Sequence, residues 1–364
     1  MDDNALADLI AMTRRSLLHL RGKGVVAQCL DVMDALDLHT KSGQKPVLAH
    51  YHRTPSGWRL EWSLPAGIAS RDILAKLDHF CEQTGCHIDA AVSGRILHMD
   101  VRTAAMPERV AFDWSGGEGS LPIPIGVTPA GLVSVDLSRL PHLFVAGNTG
   151  GGKTTFLRGL ATAAIQDNAL VTVIDLKGLD FAHLASSGHA LVVDTEQDSM
   201  AVLAALNREM DRRKGILKQA GVTRLQDYRG LPWIVAIVDE LAELQDKAAQ
   251  DALNRLARLS RAVGICLVAA TQRPSHTLFQ RFTDTRMLFA GRLCFHMPKP
   301  EDSRLILDSD AAAKLPPIPG RAVWKWDREV EVQCMDCQPK DSRRLLQGVE
   351  VRSIEPSRKR LPAR

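Results

Sequence analysis

The stretch His142-Leu-Phe-Val-Ala-Gly147-Asn148-Thr149-Gly150-Gly151-Gly152-Lys153-Thr154-Thr155 decides the fold of this 364-residue chain. Its pattern predicts an apolar strand, a glycine-rich turn and the start of an amphipathic helix. Glycines allow successive backbone N–H groups to turn inward around a phosphate, and the N-terminus of the helix adds positive potential. The pattern Gly-x4-Gly-Lys-Thr between a strand and a helix therefore predicts a phosphate-binding loop.

The residues of this loop are predicted to bind ATP and Mg²⁺. Lys153 is expected to reach the β- and γ-phosphates, and Thr154 to bind Mg²⁺ through its hydroxyl. The alternative is a glycine-rich turn that carries an exposed lysine. The predicted nucleotide-binding residues are Gly147, Asn148, Thr149, Gly150, Gly151, Gly152, Lys153, Thr154 and Thr155.

Two adjacent acids follow a second apolar run, Trp233–Val238. Asp239 at the tip of this predicted strand is expected to hold Mg²⁺ through water, and Glu240 to orient and polarise the water that attacks the γ-phosphorus. An enzyme that transfers the phosphoryl group to a small acceptor would not need the second acid, so the pair indicates hydrolysis. The alternative is an acidic helix cap.

A polar amide ends another strand-like run, Gly264–Thr271. The carboxyl ends of parallel strands form the usual ligand edge of such a sheet, so Gln272 is expected beside the phosphate loop. There we predict that it hydrogen-bonds the γ-phosphate or the attacking water and reports the state of the nucleotide.

Apolar strands alternate with helices over 143–338, which predicts an α/β domain with a mainly parallel sheet and helices on both faces. A small α+β domain is predicted over 1–103, with a helical start and a ββαββ unit whose helix covers 69–84. The stretch 104–142 is rich in Gly, Pro and Ser and is predicted to be a linker. Residues 339–364 are predicted to form a basic tail.

The composition, 45% hydrophobic and 24% charged, is ordinary for a globular protein in water. No apolar run approaches the ~18 residues that cross a bilayer, and the N-terminus lacks the apolar segment of a signal peptide. A cytoplasmic location is therefore expected, with recruitment to the inner face of the membrane through partners. The net charge of +4 does not by itself indicate a nucleic-acid partner. The composition of the basic tail indicates a solvated segment more than an arm that contacts DNA.

Four further stretches lie in a fixed order: Asp239-Glu-Leu-Ala-Glu-Leu244, Leu256–Ile265, Ala270–Ser275 and Asp302–Asp308. With the phosphate loop, they resemble the motor domain of the FtsK/SpoIIIE family. The small domain before them makes the chain most similar to the FtsK-type conjugative coupling proteins. The resemblance implies a RecA-like P-loop NTPase fold, a homo-hexameric ring and ATP-driven pumping of double-stranded DNA. It also implies a role in conjugative transfer or in segregation of a mobile element.

The resemblance gives Arg261 a catalytic role in a neighbouring subunit. Family members insert the arginine of an Arg-Ala-x-Gly-Ile sequence into the next nucleotide site, where such a finger is worth about 10³–10⁵ in rate. Arg258, one helical turn earlier, is the rival, and a pair of solvated arginines is the alternative. Family members often carry Asp-Pro-Lys after the second strand, whereas this chain has Asp175-Leu-Lys177. Only Asp175 and Lys177 therefore match that motif of the family.

The DNA contacts are predicted on the loop after Gln272, because a pump that passes any sequence must hold the phosphate backbone. The candidates are Arg273, Arg281 and Arg286, and the alternative is that they pair with local acids such as Asp284. A relaxase or membrane-bound transfer machinery is a further expected partner.

Three competing functions remain open at this point. The first is a protein-secretion ATPase of the FtsK-like class, and the second is a helicase or packaging ATPase that acts on single-stranded DNA. The third is an adaptor that binds nucleotide without pumping, against which the intact Lys153, Asp239, Glu240 and Gln272 argue.

Overall fold

The chain divides into two compact units, one comprising Met1–Met106 with Pro129–Gly131 and the other Pro107–Thr128 with Leu132–Arg364. A computed structural model describes residues 24–54, 56–103, 105–140, 142–228, 230–282 and 288–351.

The first unit is a four-stranded antiparallel sheet covered by helices, in the strand order β1-β2-β4-β3. Ile73 and Phe80 are fully buried on the helices, and Leu60 and Leu97 on the strands. The helix predicted over 69–84 is two short helices, because the backbone of Lys76 leaves the helical region. The elements are α1 (Gly24–Ala35), β1 (Val47–Thr54), β2 (Gly57–Ser63), α2 (Ser70–Leu74), α3 (Leu77–Thr84), β3 (His87–Ser93) and β4 (Ile96–Arg102).

The second unit is built on a ten-stranded sheet. Its strands are β6 (Pro122–Thr128), β7 (Gly131–Asp136), β8 (His142–Ala146), β9 (Leu170–Ile174), β10 (Ala190–Val193), β11 (Ile234–Val238), β12 (Ile265–Thr271), β13 (Gly291–Phe295), β14 (Arg321–Lys325) and β15 (Glu329–Gln333). The helices are α4 (Lys153–Gln166), α5 (Ala182–Ser187), α6 (Glu196–Gln219), α7 (Lys247–Leu259), α8 (His276–Arg281), α9 (Pro300–Leu307) and α10 (Pro339–Leu345). A separate two-stranded ladder pairs β5 (Val110–Ala111) with β16 (Met335–Asp336).

The order across the large sheet is β10-β9-β11-β12-β8-β13-β14-β15-β6-β7. The strands from β10 to β13 pair in parallel, whereas β14, β15 and β6 pair antiparallel. Every residue of β8, β11 and β12 is buried, since apolar side chains on both faces of these strands pack under helices. One face packs against α4, and the other against α6 and α7. The predicted α/β class with helices on both faces is confirmed.

The segment 104–142 is not the linker that its composition predicted. Its residues Pro122–Thr128 and Gly131–Asp136 are strands of the large sheet, and Ile123 and Ile125 lie in the core. The glycine-rich turn before them is held by Asp136, whose carboxylate accepts the backbone N–H groups of Ser120 at 3.1 Å and Leu121 at 3.0 Å. A local count of turn-forming residues could not detect these distant partners.

The basic tail predicted over 339–364 begins as folded structure. Helix α10 packs against α4, where the Thr162 hydroxyl donates to Ser342 Oγ at 2.8 Å, and Leu346 lies in the core. Residues 352–364 lie outside the described part of the chain. Within the described part, no helix is long and apolar enough to cross a membrane.

Candidate nucleotide-binding site

The parallel register brings the ends of four strands to one edge of the large sheet. Thr271 of β12 lies opposite Ala146 of β8, and Val238 of β11 lies opposite Ile174 of β9. The residues that follow these strands therefore meet at this edge. They are the phosphate loop, Asp175, the pair Asp239 and Glu240, and Gln272.

The loop itself has the geometry of an anion cradle. Gly150 and Gly152 adopt φ angles of +80° and +110°, which only glycine adopts without strain. Gly152 precedes the first residue of α4, so the N–H groups of the first helical turn face the cavity at this edge. The loop packs closely against the start of β14, since Gly320 N donates to Gly151 O at 2.9 Å.

Lys153 forms a buried ion pair with Asp239. Its Nζ lies 2.7 Å from Asp239 Oδ1 and 2.5 Å from the Asp239 carbonyl oxygen, and both side chains are at most 3% exposed. An ammonium group has three donors, so one N–H remains for a phosphate oxygen. The other oxygen, Asp239 Oδ2, is buried with no hydrogen-bond partner among the described residues.

The donors near Asp239 fit a hard divalent cation. Thr154 lines the cavity in the first turn of α4, as its predicted role requires. Hydroxyl and carboxylate oxygens are the ligands that Mg²⁺ prefers, and the unpartnered Asp239 Oδ2 would gain a partner from the ion. The predicted pair of Thr154 and Asp239 is therefore compatible with Mg²⁺.

Glu240 is held in place by the end of β12. Its Oε1 accepts the Thr271 hydroxyl at 2.7 Å, and its Oε2 accepts the backbone N–H of Gln272 at 2.9 Å. Oε1 also accepts the backbone N–H of Ala242 at 3.4 Å, so Glu240 caps the short 3₁₀ turn that follows β11. Oε2 accepts only the Gln272 N–H among the described residues and retains the capacity to bind a water. The sequence analysis did not identify Thr271 as a partner, because only strand pairing places β12 beside β11.

Gln272 connects the same strand to the phosphate loop. Its Oε1 accepts the hydroxyl of Thr149 at 2.9 Å. The end of β12 thus touches both Glu240 and the loop, as a residue that reports nucleotide state would need to do.

Asp180 is a candidate that the sequence analysis missed. It lies with Asp175 and Asp239 in a group whose ligand atoms are all within 4.8 Å of one another. Burial, together with the negative charges of Asp239 and Asp175, raises the pKa of Asp180 above its ordinary value, and Arg158 and Lys177 oppose this shift. The only signal in the sequence was its position five residues after Asp175.

The loop opens into a cavity of about 650 Å³, within the usual range for a small-molecule site. Its lining also includes Arg109 and Asp336, which form an ion pair at 2.6 Å between Nη2 and Oδ2. Gln338 donates to the other oxygen of Asp336. These wall residues come from the β5–β16 ladder and the start of α10, which sequence patterns did not link to the phosphate loop.

Arg261 lies away from the site of its own chain. It precedes β12 in a short 3₁₀ turn, at the opposite end of the strand from Gln272. The seven residues of β12 separate these ends by roughly 20 Å. Arg258 and Arg261 are both exposed.

The predicted DNA-contacting arginines follow β12 on the site side. Arg273 and Arg281 are exposed, and Arg281 Nη1 donates to Gln245 Oε1 at 3.1 Å. Arg286 and the acid proposed to pair with it, Asp284, lie outside the described residues.

Comparison with known proteins places this site in a family. Residues 105–232 and 227–276 match the model of the FtsK/SpoIIIE family. Over these residues, the chain is similar to the FtsK/SpoIIIE family. The resemblance predicted from the motifs is thereby confirmed.

The curated relatives of the chain are much longer than the chain itself. The chain is 30% identical over 259 residues to the DNA translocase FtsK of Streptococcus pneumoniae, covering 63% of this chain and 34% of the relative. It is 33% identical over 211 residues to FtsK of Mycobacterium tuberculosis, covering 50% of this chain and 25% of the relative. The chain therefore spans about a third or less of their length.

Two solved structures share the fold at low identity. The pCW3 conjugation coupling protein TcpA, in its monomer form with ATPγS, aligns with a TM-score of 0.63 at 22% identity over 86% of this chain and 96% of that chain. The cytoplasmic domain of the type VII secretion ATPase EccC of Thermomonospora curvata aligns with a TM-score of 0.56 at 23% identity over 71% of this chain and 34% of that chain.

Replacing Gly152 by alanine is expected to disrupt the loop. The new Cβ would lie 2.9 Å from Gly320 N at a φ of +110°, so the variant should lose roughly 1–3 kcal/mol of unfolding free energy. Gly215→Ala is the matched control, because that helical glycine has nothing within 4 Å of its Cβ position and should gain roughly 0.5–1 kcal/mol. Hydrogen exchange of amides in the second unit, measured at increasing urea concentration, gives the free energy of unfolding of both variants. A Gly152→Ala protein as stable as the wild type would contradict the geometry of the loop.

Proposed function

We propose that this chain is an ATP-driven DNA translocase that works as a homo-hexameric ring on double-stranded DNA. The observation that carries the hydrolytic part is the placement of Glu240, a buried carboxylate held by Thr271 and Gln272 beside the phosphate loop. A protein that only binds nucleotide has no need for a fixed acid at this position.

Each residue of the site has a distinct task in this proposal. The N–H groups of the loop and the free donor of Lys153 bind the phosphates. Glu240 orients the attacking water and accepts its proton. When bound through Thr154 and Asp239, Mg²⁺ would neutralise charge on the β- and γ-phosphate oxygens. Gln272 senses the γ-phosphate and passes its presence along β12.

The choice of DNA as substrate rests on sequence relatives. The DNA translocases FtsK of Streptococcus pneumoniae and Mycobacterium tuberculosis are at least 30% identical to this chain. The secretion ATPase EccC shares the fold at 23% identity. The likeness to a conjugation coupling protein motivates the further proposal of a role in conjugative transfer or segregation of a mobile element, with a relaxase or membrane machinery as partner.

The stimulation of ATP hydrolysis by DNA is the main test of this function. Turnover should rise several-fold with duplex DNA over the rate without DNA, and the rise should weaken steeply with salt because phosphates are bound. Turnover is also measured with single-stranded DNA. A duplex pump should be stimulated more by duplex DNA, whereas a helicase that acts on single strands should be stimulated more by single-stranded DNA.

The same assay tests the arginine contacts. Arg273→Ala/Arg281→Ala should reduce the ratio of turnover with and without duplex DNA, whereas Arg328→Ala, which removes another exposed arginine, should not. Turnover that no DNA changes would reject the translocase, and an unchanged ratio in the double variant would reject these two contacts.

Glu240→Gln is expected to bind ATP without hydrolysing it. The amide keeps the shape of the side chain but cannot accept the proton of the attacking water, so turnover should fall at least about a hundredfold. Lys153→Ala should instead lose ATP affinity, because the loop loses its cation.

A matched control for this comparison is Glu243→Gln, which changes an exposed acid three residues further along. Equilibrium binding of ATPγS and steady-state turnover measure the two effects separately. Wild-type turnover in Glu240→Gln would remove Glu240 from the mechanism.

Arg261→Ala subunits should be inactive alone and regain activity when mixed with Lys153→Ala subunits. Because Arg261 lies roughly 20 Å from the site edge of its own sheet, it can serve only a neighbouring copy. In mixed rings, some interfaces combine an intact loop with an intact arginine. Arg258→Ala subunits in the same mixing experiment test whether Arg258, and not Arg261, acts on the neighbouring nucleotide site.

Subunit mixing is verified by co-purification of two affinity tags. If verified mixed rings hydrolyse no more ATP than either parent, Arg261 does not act between subunits.

A further inference from the structure

Three carboxylates from two neighbouring strand ends converge at the edge of the site. Asp175 follows β9, Asp239 follows β11, and Asp180 comes from the loop after Asp175. One ligand oxygen from each lies within 4.8 Å of the others. This spacing is compatible with a single ion that contacts all three groups.

The carboxylate of Asp175 shapes the loop that brings Asp180 back to the cluster. Asp175 Oδ1 accepts the backbone N–H groups of Lys177 and Gly178, both at 3.2 Å, and Oδ2 accepts that of Asp180 at 3.0 Å. Gly178 turns the chain with a φ of +74°. Since each carboxylate oxygen accepts two bonds, Oδ2 of Asp175 can still bind an ion.

Asp239 supplies the independent indication of a ligand. Its side chain is 2% exposed, and Oδ1 is used by Lys153. Oδ2 belongs to the same buried carboxylate and has no hydrogen-bond partner among the described residues. A buried, unpartnered carboxylate oxygen is costly, and a cation at the cluster would remove that cost.

The ligand set suits a divalent ion. Lys153 pairs with Asp239 at close range, and Arg158 and Lys177 are the positive charges that act on Asp180. Asp175 and Asp180 still lie beside Asp239, and a doubly charged cation would attract all three carboxylates directly. Three carboxylates leave positions for water, which suits Mg²⁺ because this ion keeps several waters when proteins bind it.

We propose that Asp175, Asp180 and Asp239 form a binding site for one divalent cation of the Mg²⁺ class that is occupied without nucleotide. In the proposed function, the ion is held by Thr154 and Asp239 together with ATP. Here Asp175 and Asp180 hold it before ATP arrives, so nucleotide binds to a loop whose counter-ion is already in place. The inference concerns the ion alone and does not require the protein to hydrolyse ATP or move DNA.

Binding of Mn²⁺ to the full chain in the absence of nucleotide tests the site. Electron paramagnetic resonance measures the loss of the free Mn²⁺ signal during titration, and competition with Mg²⁺ reports the Mg²⁺ affinity. One Mn²⁺ per chain is expected for the wild type. Asp180→Asn should weaken binding at least about tenfold, because it removes one charged ligand and keeps the shape of the side chain.

Asp194→Asn is the matched control. Asp194 also follows a strand, β10, of the same sheet edge, but it is exposed and outside the cluster. Its Mn²⁺ affinity should equal that of the wild type. Asp175→Asn should weaken Mn²⁺ binding as well. If this variant fails to fold because the loop held by the Asp175 carboxylate is lost, Asp180→Asn alone tests the cation site.

Two outcomes would overturn the proposal. A wild-type chain that binds no stoichiometric Mn²⁺ at millimolar concentration would mean that the three carboxylates hold no divalent ion in the absence of nucleotide. Equal Mn²⁺ affinity in Asp180→Asn and the wild type would place any bound ion elsewhere. Turnover of ATP is measured separately, so failure of the cation site is distinguishable from failure of the proposed function.

Discussion

Parallel pairing of β9, β11, β12 and β8 is the constraint on which the rest of the site depends. In this arrangement, the chain leaves each strand at the same edge, so residues far apart in sequence meet without contacts of their own. Lys153 and Asp239 illustrate the result, since the register of β11 with β12, and of β12 with β8, brings their side chains to 2.7 Å. Helices on both faces bury these strands and hold the register.

The edge concentrates charge that would be unstable without compensation. A buried lysine and a buried aspartate are each costly to remove from water, and they are tolerated because each is the partner of the other. Asp175 and Asp180 add negative charge beside that pair. Binding of a cation or a phosphate would therefore change the electrostatic interactions among these charges. Such clusters of close charges are typical of functional sites more than of stable cores.

Strand β12 links the site to the opposite edge of the sheet. At its carboxyl end, Thr271 and Gln272 contact Glu240, and the side chain of Gln272 contacts the phosphate loop. At its amino end lies the exposed turn that carries Arg261. The buried strand therefore spans the distance between the nucleotide site and the exposed turn, where a neighbouring subunit would lie in the proposed ring.

The sequence by itself determined the phosphate loop, the acids after β11 and the amide after β12, because each depends on residues adjacent in the chain and on the strand before them. The alternation of strands and helices likewise determined the α/β class. Only the tertiary structure decided that 104–142 contributes strands, that Thr271 holds Glu240 and that Asp180 joins Asp175 and Asp239. The physical reason is that these features depend on pairing between distant segments, as when Val127 of β6 lies opposite Gln333 of β15. Composition, which predicted a linker there, carries no information about such partners.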